Sequence, residues 1–483
     1  MAIHRYATNI GQVKRFILML ERTDYDIAAL FAEREGERFT VHTRHLNEQM
    51  VRVLKTIGYD VGFRRGAGQY LYDRNDARYL DLLSGFGVFG IGRNHPALRT
   101  ALESVLDAEL PNLVQLDLPA LAGVLAQELI AKVPHLDKVF FANSGTEVTE
   151  AAIKFARTAT RRSGILYCDH AYHGLSYGAL SLNGDDIFRQ GFGPLLPDCH
   201  AIPFNDLTAL EDRLRSRQIA AFIVEPIQGK GVHLPDDGYL KNAASLCQRY
   251  GTLFVADEIQ TGLGRTGRFL AIEHWGVEPD IVLLAKALSG GHVPVGALLT
   301  RKDIYDKMFN RMDRAVVHGS TFAKNDLAMA AGLATLRVLK SEGLIENAAR
   351  CGERLLQSFS KMAERHELLY DVRGKGLMIG IEFGAPKSLK LKASWAMIEA
   401  ASKGLFCQLI TIPLFKEHKI LTQVAGHGSR TIKLLPPFVI TDEDCDWIER
   451  AFDSVIAESH RVPGAIWSLG KTLMENAAAA RKS

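Results

Sequence analysis

The sequence predicts an α/β chain built on a mostly parallel sheet, with a smaller α+β domain beside it. Three observations carry this. Short apolar runs of strand length, Lys138 to Ala142, Gly164 to Cys168, Ala220 to Val224, Leu253 to Ala256 and Ile281 to Ala285, alternate with helical stretches such as TEVTEAAIKFARTAT, the order a parallel sheet with crossover helices requires. The runs are almost continuously apolar, as strands buried on both faces are. Each leads into a polar or glycine-rich loop, and the carboxyl ends of parallel strands are where an open α/β sheet binds ligands.

Length and composition set the frame. A chain of 483 residues exceeds what one compact core holds, so a large and a small domain are expected. With 58 Lys+Arg against 55 Asp+Glu, no net field favours nucleic acid. The six cysteines are scattered and form no CxxC, which argues against a disulfide framework and against a zinc site; no metal is expected. No apolar run reaches the ~18 residues of a bilayer span, and the start MAIHRYATNIGQVKR lacks the apolar core of a signal peptide. A reducing, cytoplasmic location is the expectation.

Residues 1–60 read as an N-terminal helical extension. Val13, Phe16, Ile17 and Leu20 follow helical spacing, and Ile27, Leu30 and Phe31 continue an apolar face. That face packs on the body of the protein or on a partner subunit; Lys14 and Arg15 beside FILML leave contact with a membrane surface as the alternative. Residues 61–95 and 341–465 form a discontinuous small domain. Its first part holds QYLYDRNDARYLDLLSG, two strands about an Asn-Asp turn, and then GFGVFGIGRNHP, whose hairpin context argues against a dinucleotide loop. Residues 96–340 form the large domain, opening with helices over Pro96 to Ala108 and Pro119 to Lys132. After Ser320 comes a long helical region, then a return strand in RGKGLMIGIEFG, a helix in SWAMIEAASKGL and a strand in TIKLLPPFVI that its two prolines end. Residues 466–483 are a tail with a frayed helix.

Asp257 and Lys286 close two of the strand runs, 29 residues apart. A carboxylate and an amine on one sheet edge suit pyridoxal phosphate, which needs a lysine for its Schiff base and an acid for its pyridinium nitrogen; a plain salt bridge is the other reading. Desolvation at a strand end would lower the lysine pKa and make it a usable nucleophile and proton carrier. Asn143-Ser144-Gly145-Thr146 opens a helix, as a phosphate cradle or as ordinary capping. Tyr172-His173-Gly174 places an aromatic after a strand, to stack on a planar ring or to pack in the core.

Taken in order, SGTE, YHG, EPIQG, ADEIQTGLGRTG, LLAKALSGG and HGSTF resemble the class III pyridoxal-phosphate aminotransferases, the ornithine and omega-aminotransferase group of fold type I, over about residues 66 to 455. The resemblance implies that Lys286 carries the cofactor and moves the proton, Asp257 holds the ring nitrogen protonated, and Gln260 bonds the ring 3-oxygen. It further implies that Gly145 and Thr146, next to Ser144, take the phosphate, that Tyr172 stacks on the ring, and that His173 and Glu225 belong to the same cofactor-binding set. Thr321 would reach the phosphate of a neighbouring subunit, which implies a homodimer with shared active sites, although HGSTFAKNDLA departs from the family's usual STFGGNPLA.

Three other departures concern the substrate. Ornithine-type relatives have an arginine where this chain has Leu175, a glutamate where it has Lys230, and a carboxylate-binding arginine where it has Lys433, with Arg430 three residues earlier. An ammonium does not replace the two-point grip of a guanidinium. The expected pocket therefore consists of Phe86, Phe89, Leu175, Lys230, Arg430 and Lys433, with LFCQLITIPLFKEHKILTQVAGHGS as a further apolar contributor. The expected reaction takes an amino group from an amino-acid donor such as glutamate to an aldehyde on a long or bulky apolar group; simple repacking of the small domain is the plainer reading of these residues. An ornithine- or diamine-type aminotransferase, or a decarboxylase, racemase or aminomutase on the same cofactor, would keep the cofactor contacts.

Overall fold

The computed structural model describes residues 26–470 except 115, 402, 427, 429, 462–463, 465 and 468–469. The proposed helix through Val13 to Leu20 and most of the 466–483 tail lie outside the described residues. The chain divides into two compact units, Met1–Arg64 and Arg65–Ser483.

Among the described residues of the first unit, three α-helices, Ile27–Arg34, Arg38–His45 and Glu48–Ile57, follow one another. Asp26 and Asn47 cap two of them by accepting from the N–H groups of Ala29 and Met50. Gly58 ends the last with φ +71°, a conformation glycine adopts without strain. Ile27, Leu30 and Phe31 are exposed.

The second unit is organised around a seven-stranded sheet. Its strands are β1 (Lys138–Ala142), β2 (Gly164–Cys168), β3 (Cys199–Ile202), β4 (Ile219–Val224), β5 (Leu253–Asp257), β6 (Ile281–Leu284) and β7 (Gly296–Thr300). In space the order is β1-β7-β6-β5-β4-β2-β3. Only β7 runs against its neighbours. The five apolar runs seen in the sequence are strands; β3 and β7 were not expected. Strands β2, β4, β5, β6 and β7 are buried at every position, which is why they read as unbroken apolar text.

Six parallel strands thus deliver Asn143, Asp169, Pro203, Glu225, Asp257 and Ala285 to one edge of the sheet. The helix Gly145–Thr160 packs back on this sheet through Val148, Ala151, Ala152, Phe155 and Ala156.

The C-terminal part adds a four-stranded antiparallel sheet, in the order Leu369–Lys375, Met378–Phe383, Thr431–Leu434, Gln423–Ala425. RGKGLMIGIEFG is therefore one hairpin and not a single return strand. The long helical region is two helices, Asp326–Ser341 and Leu344–Arg365, separated at Gly343 with φ +60°. Leu405–Lys416 is a helix buried over most of its length, so the apolar text around LFCQLITIPLF is core. Among the described residues no single helix is long and apolar enough to cross a membrane; the bent pair Leu391–Ala400 and Leu405–Lys416 meets that test only jointly.

Candidate active site

Asp257 pairs in register with Leu283 on the adjacent parallel strand, so Asp257 and Lys286, three residues further along, emerge together at the sheet edge. Lys286 has φ +43°, a left-handed conformation that costs a non-glycine residue on the order of 1–2 kcal/mol. It starts a 3-10 turn, Lys286–Ser289, that closes at Gly290. Burial lowers the pKa of its amine from the usual lysine range, against the opposing charges of Asp257 and Glu225.

Asp257 is buried, and its Oδ2 lies 2.6 Å from His173 Nδ1. Its Oδ1 accepts from the N–H of Ile259 at 3.0 Å. Burial alone would lower the His173 pKa, but the hydrogen bond and charge of Asp257, with Glu225 beside it, raise it net. Nε2 of His173 is buried without a partner. Glu225 accepts from the N–H groups of Tyr172 (3.1 Å) and Gly229 (2.8 Å), and burial raises its pKa first of all.

The third wall is the start of helix Gly145–Thr160. Ser144 caps it, its Oγ accepting from Glu147 N–H at 3.3 Å. The N–H groups of Gly145 and Thr146 are among those a helix leaves open at its first turn, where an anion is favoured. The Thr146 hydroxyl lies 2.6 Å from Ser176 Oγ. Gly174 passes so close that a Cβ there would sit 2.5 Å from Thr146 Oγ1.

These groups face a cavity of about 850 Å³. Ser144, Gly145, Thr146, Tyr172, His173, Glu225, Asp257, Gln260 and Lys286 all line it, as do Phe86, Leu175, Lys230 and Lys433 of the expected substrate pocket. The lining also includes Val88, Phe188 and His292, which sequence reasoning did not single out, and Val424 from the apolar segment LFCQLITIPLFKEHKILTQVAGHGS. Phe188 stands edge-on to Tyr172, with ring centres 5.5 Å apart.

Two expectations need correction. Arg430 is exposed and outside the cavity lining, with its guanidinium paired to Glu399 at 2.9 Å. An odd spacing of three along extended chain turns it away from the face that Lys433 shares. Phe89 packs behind the wall: Gly291 runs over its ring so closely that a Cβ would meet it at 2.4 Å, and Arg93 covers it at 3.9 Å. Thr321, expected to serve a neighbouring subunit, is exposed and lies outside this chain's own cavity lining.

Lys230 pairs with Asp185 and lies 5.0 Å from the Phe188 ring centre. Lys433 donates to Gly229 O at 2.7 Å and to Gln260 Oε1 at 3.2 Å. Burial, then the charge of Lys286, pushes its pKa down to about 7, with Arg265 adding to the effect.

Pyridoxal phosphate fits this donor set. An open helix start can take its phosphate, a carboxylate held by an imidazole can face its ring nitrogen, and a desolvated amine stands at the end of the next strand. The same arrangement disposes of a simple Asp257–Lys286 salt bridge, because among the described residues Asp257 is paired with His173.

Residues 56–456 match the family model described as "Aminotransferase class-III". The chain is 35% identical over 467 residues to the aminotransferase PigE of Serratia sp. (strain ATCC 39006), covering 89% of this chain and 55% of PigE, so it spans about half that relative's length. It is 37% identical over 387 residues to the acetylornithine aminotransferase of Bacillus cereus, covering 80% of this chain and 92% of that one. The ornithine aminotransferase from Toxoplasma gondii superposes with a TM-score of 0.75 at 30% identity, over 88% of this chain and 97% of that one. A PLP-bound amine transaminase from an uncultivated Pseudomonas species does so with a TM-score of 0.73 at 30% identity, over 82% and 94% of the two chains. This chain belongs to the class-III aminotransferases, enzymes that use pyridoxal phosphate.

Proposed function

We propose that the chain moves an amino group from an amino-acid donor, glutamate being the expected one, to an aldehyde carried on a long or bulky apolar group. The observation that supports this acceptor is the outer wall of the cavity, where Phe86, Val88, Leu175, Phe188 and Val424 converge and, among the described residues, no arginine takes part. An apolar wall with few polar groups selects an apolar ligand.

The residues divide the work. Pyridoxal phosphate, when bound, supplies the carbonyl that condenses with the amine and the electron-accepting ring. Gly145 and Thr146 bind its phosphate, and Tyr172 covers its ring. His173, 2.6 Å from Asp257 Oδ2, would aim that carboxylate at the ring nitrogen. Lys286, its amine desolvated and its pKa lowered, would bind the cofactor's carbonyl carbon and serve as the base that takes and returns the substrate's proton.

A diamine or ornithine would bring a second ammonium towards the mouth of the cavity. The carboxylates that line it, Glu225 and Asp257, lie on the inner wall with backbone and His173 partners, and Asp185 is paired with Lys230. That leaves the ammonium without a counter-charge. We further propose a homodimer, in which a second copy covers the exposed segment around Val316, Thr321 and Phe322. A cytoplasmic setting agrees with the free cysteines.

The test is a pair of half-reactions on purified holoenzyme, followed by the cofactor's absorption. Glutamate should change the band, and a long-chain aldehyde should restore it faster than glutamate semialdehyde does. A clear preference for ornithine over a long-chain amine would sink the acceptor assignment.

A further inference from the structure

Lys433 occupies the position where ornithine-type relatives hold a substrate carboxylate, yet its surroundings describe a different task. It lies on strand Thr431–Leu434, between Gly380 and Gln423 of the flanking strands, and is 5% exposed. Its Nζ spans from Gly229 O to Gln260 Oε1. The other end of the same amide, Gln260 Nε2, donates to Phe86 O at 3.0 Å. Gly229 allows the loop to run this close, since a Cβ there would come within 2.7 Å of Gln260 Oε1.

We propose that Lys433 is a positioning residue: it fixes the carboxamide of Gln260 so that an N–H, not an oxygen, is left for the cofactor's ring oxygen, and it does not anchor a substrate carboxylate. The proposal rests on the cofactor placement put forward above. Gln260 carries two N–H groups on Nε2, of which one goes to Phe86 O. The second is free to face the cavity that Gln260 lines. A flipped amide would turn its oxygen towards Phe86 O and place two acceptors together, and it would present an N–H to the Lys433 amine instead of an acceptor.

A neutral amine has two N–H groups, enough for Gly229 O and Gln260 Oε1 together. The lowered pKa of Lys433 agrees with this, because an anchor for a carboxylate would have to stay charged. Two neighbouring cations, Lys286 and Arg265, act in the same direction.

The test reads the absorption band of the bound cofactor and its pH titration in the holoenzyme, in wild type, Lys433→Met, Lys433→Arg and Gln260→Ala, together with the binding of glutarate as a carboxylate probe. Lys433→Met should move the band in the direction that Gln260→Ala moves it, Lys433→Arg should keep it near wild type, and any glutarate affinity should change by less than about threefold. If Gln260→Ala moves the band and Lys433→Met does not, the inference fails while the cofactor placement stands. If Gln260→Ala also leaves the band in place, the placement itself fails. A tenfold or greater loss of glutarate binding in Lys433→Met with an unmoved band would make the lysine a carboxylate anchor. Should the methionine variant not fold, Lys433→Gln, which keeps one donor and loses the charge, is read by the same criteria.

Discussion

The inner wall of the cavity and its mouth are made from different parts of the fold. Asp257, Glu225 and Lys286 stand at the ends of adjacent buried strands, and each of the two carboxylates accepts at least two hydrogen bonds. Phe86, Leu175 and Val424 come from the short helical turn Ser84–Gly87, a loop and the outermost strand of the smaller sheet, and Phe86 and Leu175 are more than half exposed. A side chain on a central strand is fixed by packing on both faces; one on a loop can change without disturbing the sheet. On the function proposed above, the chemistry rests on the central strands and the selectivity on the turn, loop and edge strand at the mouth.

Loss of Lys286 tests the inner wall most severely. Lys286→Ala should lower kcat by roughly 10⁴-fold, the upper end of what a positioned proton carrier contributes, while the protein still binds the cofactor through the helix start. Single-turnover measurement on the reconstituted variant checks this; retention of full turnover would mean that the strand-end lysine has no part in the reaction.

Asp257→Asn is expected to be the next largest, a loss of about 10²-fold in kcat. The amide can still accept from the N–H of Ile259, so the fold should persist. A loss confined to KM would instead place Asp257 in ordinary binding.

At the mouth the effect should be smaller and selective. Leu175→Arg is expected to cut kcat/KM for a long-chain aldehyde by roughly 10- to 100-fold, the range one changed contact in an apolar pocket produces. The donor half-reaction should move little. Equal losses in both half-reactions would erase the distinction between the two walls.

The same division governs what could be read from the sequence. Strands buried on both faces write continuous apolar runs, so five of the seven and the groups at their ends were legible. The edge strand Cys199–Ile202 carries mostly partly exposed positions, and β7 follows the Lys286–Ser289 turn after only a short link. Phe188 lies in, and Asp185 caps, the four-residue helix Asp186–Arg189, which is too short to show a period. The hydrogen bonds from Lys433 to Gly229 and Gln260 join residues more than 170 positions apart, which no local pattern encodes. Arg430 was misjudged because charge type alone suggested it, and the two-residue period of extended chain decides which face a side chain joins.

The smallest predicted effect concerns stability, and it too separates the walls. Glu258, buried beside Asp257, is pushed up to about 7 from 4.5, chiefly by burial. Lys433 is pushed down to about 7 from 10.5, chiefly by burial. For Glu258 the folded state holds its proton longer than the unfolded one, so its contribution is complete below pH 4.5 and is lost as pH rises to about 7. For Lys433 the unfolded chain binds the extra proton, so stability rises between about pH 7 and 10.5 and is lost as pH falls back through 7. Denaturation midpoints of the apoprotein should therefore dip near neutrality, by on the order of a few degrees for a chain of this size. Glu258→Gln should flatten the acid limb and Lys433→Met the alkaline one, measured at closely spaced pH values on either side of neutrality. Leu175→Arg should leave both limbs as they are, because an arginine at the exposed mouth keeps its proton throughout this range, folded or not. If that variant altered the dip as much as the two buried ones, the electrostatic isolation of the inner wall from the mouth would be disproved.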